Sequence, residues 1–297
     1  MLRRTLWIIV ALWLCAIGAI GASAQEQEQP QAPPFEYPVA PDTCSTLESR
    51  CNYIVQHFWD NYDISKPITD LRAFHIAFRD FVGFFRHAHR NVVKSAIRDF
   101  MFKAQSNASN LSKIGFAVDM AVYGPTSVYW SDEVYVAFIT PLARSKQLPE
   151  NEQKYYKRQL EIVNRYQVGN DVNFEFTDIT GAKRMLSDVP AKYMLIYFTD
   201  DGTDSSIGRV RLSSDLQLNS LMEAGEITVV EISFVDYSAE WAAKDYPQGW
   251  TVGCNTQLAK ELDLRFLPCC YLLSEGHKLA HKCITVDAIK DFLRGGN

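Results

Sequence analysis

The chain has 297 residues, 47% of them hydrophobic and 12% aromatic, with a formal net charge of −5. The length accommodates two ordinary domains, and the apolar content is that of a globular protein with sizeable cores. The mild acidic balance and the lack of a basic stripe exclude the electrostatic footprint of a nucleic-acid binder.

Residues 1–24 read as a signal peptide. Arg3 and Arg4 form a positive start, an apolar run follows from Leu6, and Ala22-Ser23-Ala24 offers a small-x-small cleavage site before Gln25. The small residues Gly18, Ala19, Gly21 and Ala22 favour cleavage, and the length of the apolar run leaves an uncleaved anchor as the other reading. Cys15 does not suit lipidation, because Leu14 stands where that cleavage needs a small residue. No later stretch approaches the roughly 20 apolar residues that span a bilayer. The mature chain is therefore expected to be periplasmic or secreted, in an oxidising space that permits disulfides. Contact with the membrane is expected only through an uncleaved signal or anchor.

Residues 25–42, rich in Gln, Glu and Pro, are expected to be a flexible linker. Residues 43–168 are predicted to form a helical domain. Ser45-Thr46-Leu47-Glu48 matches a capping box at its start. Phe74, Phe78, Phe81 and Phe85 recur at helical spacing and give one apolar stripe. Further helices are predicted over Val92–Ala104, Leu111–Tyr123, Glu133–Leu142 and Glu150–Tyr166, with breaks at Ser65-Lys66-Pro67, Ser106 to Asn110, Gly124-Pro125 and Gln147 to Pro149.

The period changes near Val168-Gly169-Asn170-Asp171, and residues 169–297 are predicted to form a mixed α/β domain. A hairpin over Asn173–Asp178 and Lys183–Leu186 leads to strand Tyr193–Phe198, a helix over Ser206–Ala224 and strand Ile227–Phe234. Helices near Ser238–Lys244 and Thr256–Leu262 follow. Strand Cys269–Leu273, a Glu275-Gly276 turn, strand Lys278–Cys283 and helix Val286–Leu293 complete the chain.

One arrangement here points to a family. The strand Lys192–Phe198 (KYMLIYF) runs into the turn Thr199-Asp200-Asp201-Gly202 and then a helix, and a later strand is opened by Leu267-Pro268. With the hairpin turn Asp178-Ile179-Thr180-Gly181, this order resembles the TlpA-like branch of the thioredoxin fold, exported bacterial thiol-disulfide oxidoreductase-like proteins. Tyr246-Pro247-Gln248-Gly249-Trp250 resembles members that carry a helical domain of unknown function in front. So do His57-Phe58-Trp59-Asp60-Asn61-Tyr62-Asp63 and Asn164-Arg165-Tyr166-Gln167-Val168-Gly169-Asn170. The resemblance implies a C-terminal thioredoxin-like α/β fold behind an all-α N-terminal domain. It also implies a Cys-x-x-Cys pair at the helix start, where this chain has Thr203-Asp204-Ser205-Ser206. In the family the first cysteine is a nucleophile favoured by the helix N-terminus, and the second resolves the mixed disulfide. Thr203 and Ser206 occupy these positions, and a hydroxyl cannot form a sulfur–sulfur bond. Pro268 matches the family's cis-proline, which helps to bind extended substrate backbone.

Six cysteines follow the signal segment: Cys44, Cys51, Cys254, Cys269, Cys270 and Cys283. On one continuous helix Cys44 and Cys51 are too far apart to bridge, so they pair only if Cys44 folds back before the helix. Cys269 and Cys270 should face opposite sides of a strand. A tight Glu275-Gly276 turn would set Cys270 opposite His281 and diagonal to Cys283. Cys254 is read as preceding a helix from which it approaches the same region, so a relocated redox pair, such as Cys254 with Cys269, stands against buried, inert thiols.

Other candidates carry bland readings. His87 and His89 do not share a helical face. Asp200, Asp201 and Asp204 suit a turn and a helix N-terminus better than a cation site. The run His57–Asp63 reads as a helix end with a packed Trp and Asx caps, although it could line a binding surface. Asn107 and Asn110 match glycosylation acceptors. No metal and no cofactor is expected, and no catalytic residue is assigned. Two functions are expected to compete. One is a redox-inactive binding or scaffold protein for an extended peptide or an envelope protein. The other is a thiol-disulfide oxidoreductase or isomerase using relocated cysteines near Pro268.

Overall fold

The computed structural model describes residues 33, 35–125, 127–200 and 202–293. The predicted signal peptide, Cys15, most of the linker and Asp201 lie outside the described residues.

The helical half begins at α1 (Leu47–His57). Its cap is Thr46, whose hydroxyl accepts from the Ser49 N–H at 3.0 Å while the Ser49 hydroxyl accepts from the Thr46 N–H. The box is thus closed one residue later than Ser45 and Glu48 suggest, because Thr46 has the extended backbone that a cap requires. In α2 (Leu71–Gly83), Asp70 caps the start, and Phe74, Phe78 and Phe81 are buried. Phe85 continues the stripe in a 3₁₀ turn over Phe84–His87. These rings meet Trp59, Phe100 and Phe138 at centroid distances of 5.3–6.5 Å, the spacing of favourable aromatic packing.

Then come α3 (Arg90–Ala104), α4 (Ala108–Val118), a π-helical turn (Asp119–Tyr123), α5 (Asp132–Arg144) and α6 (Glu150–Arg165). Asn110 is fully buried: its Oδ1 accepts from Ile68 N–H, and its Nδ2 donates to the Ile64 and Lys66 carbonyls. It is a clamp between segments and is closed to glycosylation in the folded chain. Asn107 caps α4.

The second half is a seven-stranded sheet in the order β2-β1-β5-β4-β3-β6-β7. The strands are β1 (Glu175–Asp178), β2 (Lys183–Met185), β3 (Tyr193–Thr199), β4 (Ile227–Ser233), β5 (Thr251–Cys254), β6 (Cys269–Ser274) and β7 (Lys278–Ile284). Strands β3, β4 and β5 are parallel, and the other pairs are antiparallel. Alternation along the central strands splits the core in two. Met194, Ile196, Phe198, Cys269, Tyr271 and Cys283 face one side, with Ile162 and Tyr166 at the end of α6. Leu195, Tyr197, Cys270 and Leu272 face the other. That face is covered by α7 (Thr203–Ser213), α8 (Leu216–Glu223) and α10 (Val286–Leu293).

Two elements depart from expectation. The single helix over 206–224 is broken, because buried Asp215 turns its carboxylate back to cap α8 through the Gln217 and Leu218 N–H groups. Strand β5 has no counterpart among the predicted elements, and Gly253 lies within it. The Phe176 ring lies so close that a Cβ at Gly253 would sit 2.2 Å from it. A short α9 (Ala239–Ala242) precedes β5.

The described residues from Tyr37 onward belong to one compact unit. The helical half is joined to the sheet by a cluster of charges. Asp263 is fully buried and meets Lys282, the Tyr123 hydroxyl at 2.7 Å and Arg265 at 3.9 Å. Arg265 and Lys282 also reach Asp132 at the start of α5, Lys282 at 2.8 Å. The Trp130 ring stacks on Phe266 at 5.4 Å. Buried charges of opposite sign in mutual contact offset the cost of leaving water.

Candidate functional site

Strand β3 ends at Thr199, and α7 begins four residues later with Gly202 as its N-cap. Strand β6 runs antiparallel beside β3 with Phe198 opposite Cys269. Continuing that register sets Pro268 beside Thr199, at the strand end from which α7 departs. The Leu267–Pro268 bond is cis, and Pro268 is half-buried. The expected elements (helix start, turn and cis-proline) therefore converge on one end of the sheet.

The turn is held by its own polar groups. Asp200 Oδ1 accepts from the Ser205 hydroxyl at 2.6 Å and from the Gly202 N–H at 3.0 Å. The Ser205 hydroxyl first, and that N–H second, hold the Asp200 carboxyl below the usual carboxylate range. The Tyr197 hydroxyl donates to the Ser205 carbonyl at 2.7 Å, and Gly208 leaves the space that this hydroxyl fills. Asp200 is thus an internal turn partner. Thr203 and Ser206 are exposed, and Ser206 donates back to the Gly202 carbonyl at 3.2 Å. Of the hydroxyls at the start of α7, the buried one is Ser205.

Beneath α7 lies a pair that sequence reasoning missed. Arg209 makes a two-pronged contact with Glu231 on β4, at 2.5–3.0 Å, and the Glu231 side chain is fully buried. The available signal was a carboxylate inside the apolar run Thr228-Val229-Val230-Glu231-Ile232.

The thiols are placed differently from expectation. Cys254 lies on β5, packed with Trp241 and Val252, and β4 and β3 separate it from β6. Three strand spacings are about 14 Å, far outside bridging range, so Cys254 with Cys269 is not a pair. Cys270 lies opposite Ile284, and Leu272 lies opposite His281, because the β6–β7 ladder shifts register twice. Cys269 and Cys270 do face opposite sides of the sheet. Cys269 and Cys283 share a face and one buried cluster. The neighbouring Cys283 thiol, and burial second, push the Cys269 thiol far up. Burial alone raises Cys270, and burial with nearby Asp236 pushes Cys254 up to about 11. Thiolates at these three positions are scarce at neutral pH. Cys44 lies before α1, and it and Cys51 are both free thiols.

The remaining candidates resolve simply. His89 caps α3 by accepting from Asn91 N–H at 3.3 Å. Among the described residues no cluster of three or more His, Cys, Asp or Glu could hold a metal ion. In the run His57–Asp63, His57 Nδ1 lies 2.7 Å from Asp60, and Asp63 accepts from the Ser65 N–H. The run borders a cavity of about 280 Å³ lined also by Asp99, Phe100 and Lys103.

Comparison with known proteins agrees with this geometry. Residues 19–166 match the domain of unknown function DUF5106. A thioredoxin-like protein from Bacteroides caccae superposes over 89% of this chain and 99% of its own, at 22% identity and a TM-score of 0.75. The C-terminal domain of an uncharacterized protein from Bacteroides fragilis covers 44% of this chain and 99% of its own, at 24% identity and a TM-score of 0.40. The thioredoxin domain of a thiol-disulfide oxidoreductase from Bacteroides vulgatus covers 43% and 96%, at 17% identity and a TM-score of 0.37. The first of these carries the fold assignment. No curated protein matches the chain in sequence. A cis-proline beside a strand-turn-helix, in a sheet of this order behind a DUF5106 helical region, makes this chain a thioredoxin-fold protein with an N-terminal helical domain.

Proposed function

We propose that the protein is exported, lacks dithiol exchange, and binds an extended peptide or an envelope protein beside Pro268. One observation carries this reading: the cis-proline stands at the head of β6 while the start of α7, Thr203-Asp204-Ser205-Ser206, carries hydroxyls and a carboxylate but no thiol. Backbone groups at such a strand end can pair with an extended partner. The helical domain supplies a second surface.

The test is an insulin-type reductase assay on the wild-type chain and on two restored dithiols. Thr203→Cys with Ser206→Cys follows the motif, and Gly202→Cys with Ser205→Cys is the same spacing one residue earlier, ending on the buried hydroxyl. The wild type should be inactive, and one restored pair should gain exchange. Turnover by the wild type, or silence of both folded variants, overturns the reading.

A second reading, exchange by relocated cysteines, is favoured only by the placement of Cys269 and Cys283 in one buried cluster. It requires a thiol that a small alkylating probe modifies quickly at neutral pH in the folded protein. Burial of Cys254, Cys269, Cys270 and Cys283 speaks for slow modification.

A further inference from the structure

The edge between β6 and β7 is irregular in a way that serves two residues. The ladder pairs Cys270 with Ile284 and Leu272 with His281, so one extra residue of β7 is accommodated between them. Cys283 lies in that bulge with φ 51°, in the left-handed region that a non-glycine residue adopts at a cost. The bulge turns consecutive residues toward one group: Lys282 meets the Asp263 carboxylate, and the Cys283 thiol donates to the Asp263 carbonyl at 2.9 Å. It also turns Cys283 into the core cluster that holds Cys269, on the adjoining strand. The two thiols are 0% and 3% exposed and belong to one buried cluster on adjoining strands. A small apolar side chain would need neither the left-handed backbone nor the bulge.

We propose that Cys269 and Cys283 are joined by an intramolecular disulfide, which ties the Pro268 strand to the end strand β7 of the sheet. Each thiol gives up one proton and one electron, and the two electrons reduce the disulfide of a small-molecule or protein oxidant to two thiols. The Cys283 thiolate attacks the oxidant and releases one thiol. Cys269 then attacks the mixed disulfide, releases the second thiol and closes the Sγ–Sγ bond. The step belongs to folding or to openings of β7, since both sulfurs are covered afterwards. The bond is structural: it fixes the floor beneath the cis-proline and is not a site of substrate exchange. Only the source of the oxidant rests on the export reading above; the pairing does not.

Trypsin provides the readout. Cleavage after Arg265, Lys278, Lys282 and Lys290 separates Phe266–Lys278 from Cys283–Lys290. The full chain is alkylated before lysis, digested without reductant and analysed by mass spectrometry. The expected result is one joined species of these two peptides, lost on reduction and in Cys283→Ser and kept in Cys270→Ser. If Cys283→Ser fails to fold, fragmentation of the joined peptide from the unmutated chain assigns the link to Cys269 or Cys270. Free thiols in cells together with joining of the purified protein by glutathione disulfide would sink the export reading and leave the pairing standing. Alkylated, unjoined peptides in both settings, or a link through Cys270, overturn the pairing.

Discussion

Gly208→Ala is the substitution for which ordinary helix chemistry and this structure predict opposite signs. In a helix interior, alanine in place of glycine gains about 1 kcal/mol. Here a Cβ at Gly208 would lie 2.1 Å from the Tyr197 hydroxyl oxygen and 3.0 Å from its ring carbon. Tyr197 is fully buried and its hydroxyl is engaged with the Ser205 carbonyl at 2.7 Å, so the ring cannot swing into solvent. Overpacking of a dense core costs about 1–3 kcal/mol. Loss of a buried hydrogen bond adds about 1–2 kcal/mol. The net expectation is a loss of roughly 1–4 kcal/mol, read as a lower urea midpoint with an unchanged m-value. Tyr197→Phe removes the atom in closest conflict. The double variant should therefore be no less stable than Tyr197→Phe alone, a non-additivity of about 1 kcal/mol or more. A rise in stability for Gly208→Ala would refute this account of how the turn is packed.

Three other outcomes follow from the same structure. Arg209→Met should cost about 3–5 kcal/mol because it leaves Glu231 charged and buried. Lys192→Met at the exposed, solvent-screened Lys192–Glu226 pair should shift the melting temperature far less, and equal melting shifts for the two would contradict the assignment. Adding Glu231→Leu to Arg209→Met should recover most of the loss, because an apolar pair carries no desolvation penalty; calorimetry of the three variants decides it. Asp119 sits at the start of the π-helical turn, with Tyr135 donating to it at 2.7 Å, and burial pushes its carboxyl up to about 6 against the partly opposing hydrogen bonds from Tyr135, Tyr155 and Tyr156. A folded-state value above the unfolded one means that the neutral acid is favoured in the fold. That contribution is complete below about pH 4 and is lost as pH rises through about 6, roughly 2–3 kcal/mol in all. Asp119→Asn should flatten this part of the stability–pH curve, and parallel curves for the two proteins would exclude it.

The helical half was legible wherever burial follows a local period. Phe74, Phe78, Phe81 and Phe85 lie three or four residues apart, so their common face follows from helix geometry alone. Helix starts were less legible. Thr46 and Ser45 are chemically equivalent caps, and the choice between them depends on the backbone path from Pro41 to Cys44. Strand β5 escaped because it is four residues long and glycine within it serves the Phe176 ring, a partner 77 positions away.

The candidate site divides in the same way. The order of strand, polar turn, helix and proline-led strand is written in contiguous residues, and it was enough to place Thr203, Ser206 and Pro268 at one end of a sheet. Which thiols meet was not. A shift of register by one residue exchanges the face of every following side chain, and a bulge has no local signature. The β6–β7 irregularities therefore decided that Cys283 joins the buried cluster of Cys269, while the strand order took Cys254 out of reach.

From the sequence alone came the periodic faces, the class of fold and the run Thr203-Asp204-Ser205-Ser206 at the helix start, because each depends on neighbours along the chain. Tertiary structure alone decided the pairing of Arg209 with Glu231, the charges gathered on Asp263 and the placement of Cys269 and Cys283 in one buried cluster. Those partners are brought together by packing and register, and the free energy that selects them is paid across strands and helices rather than along them.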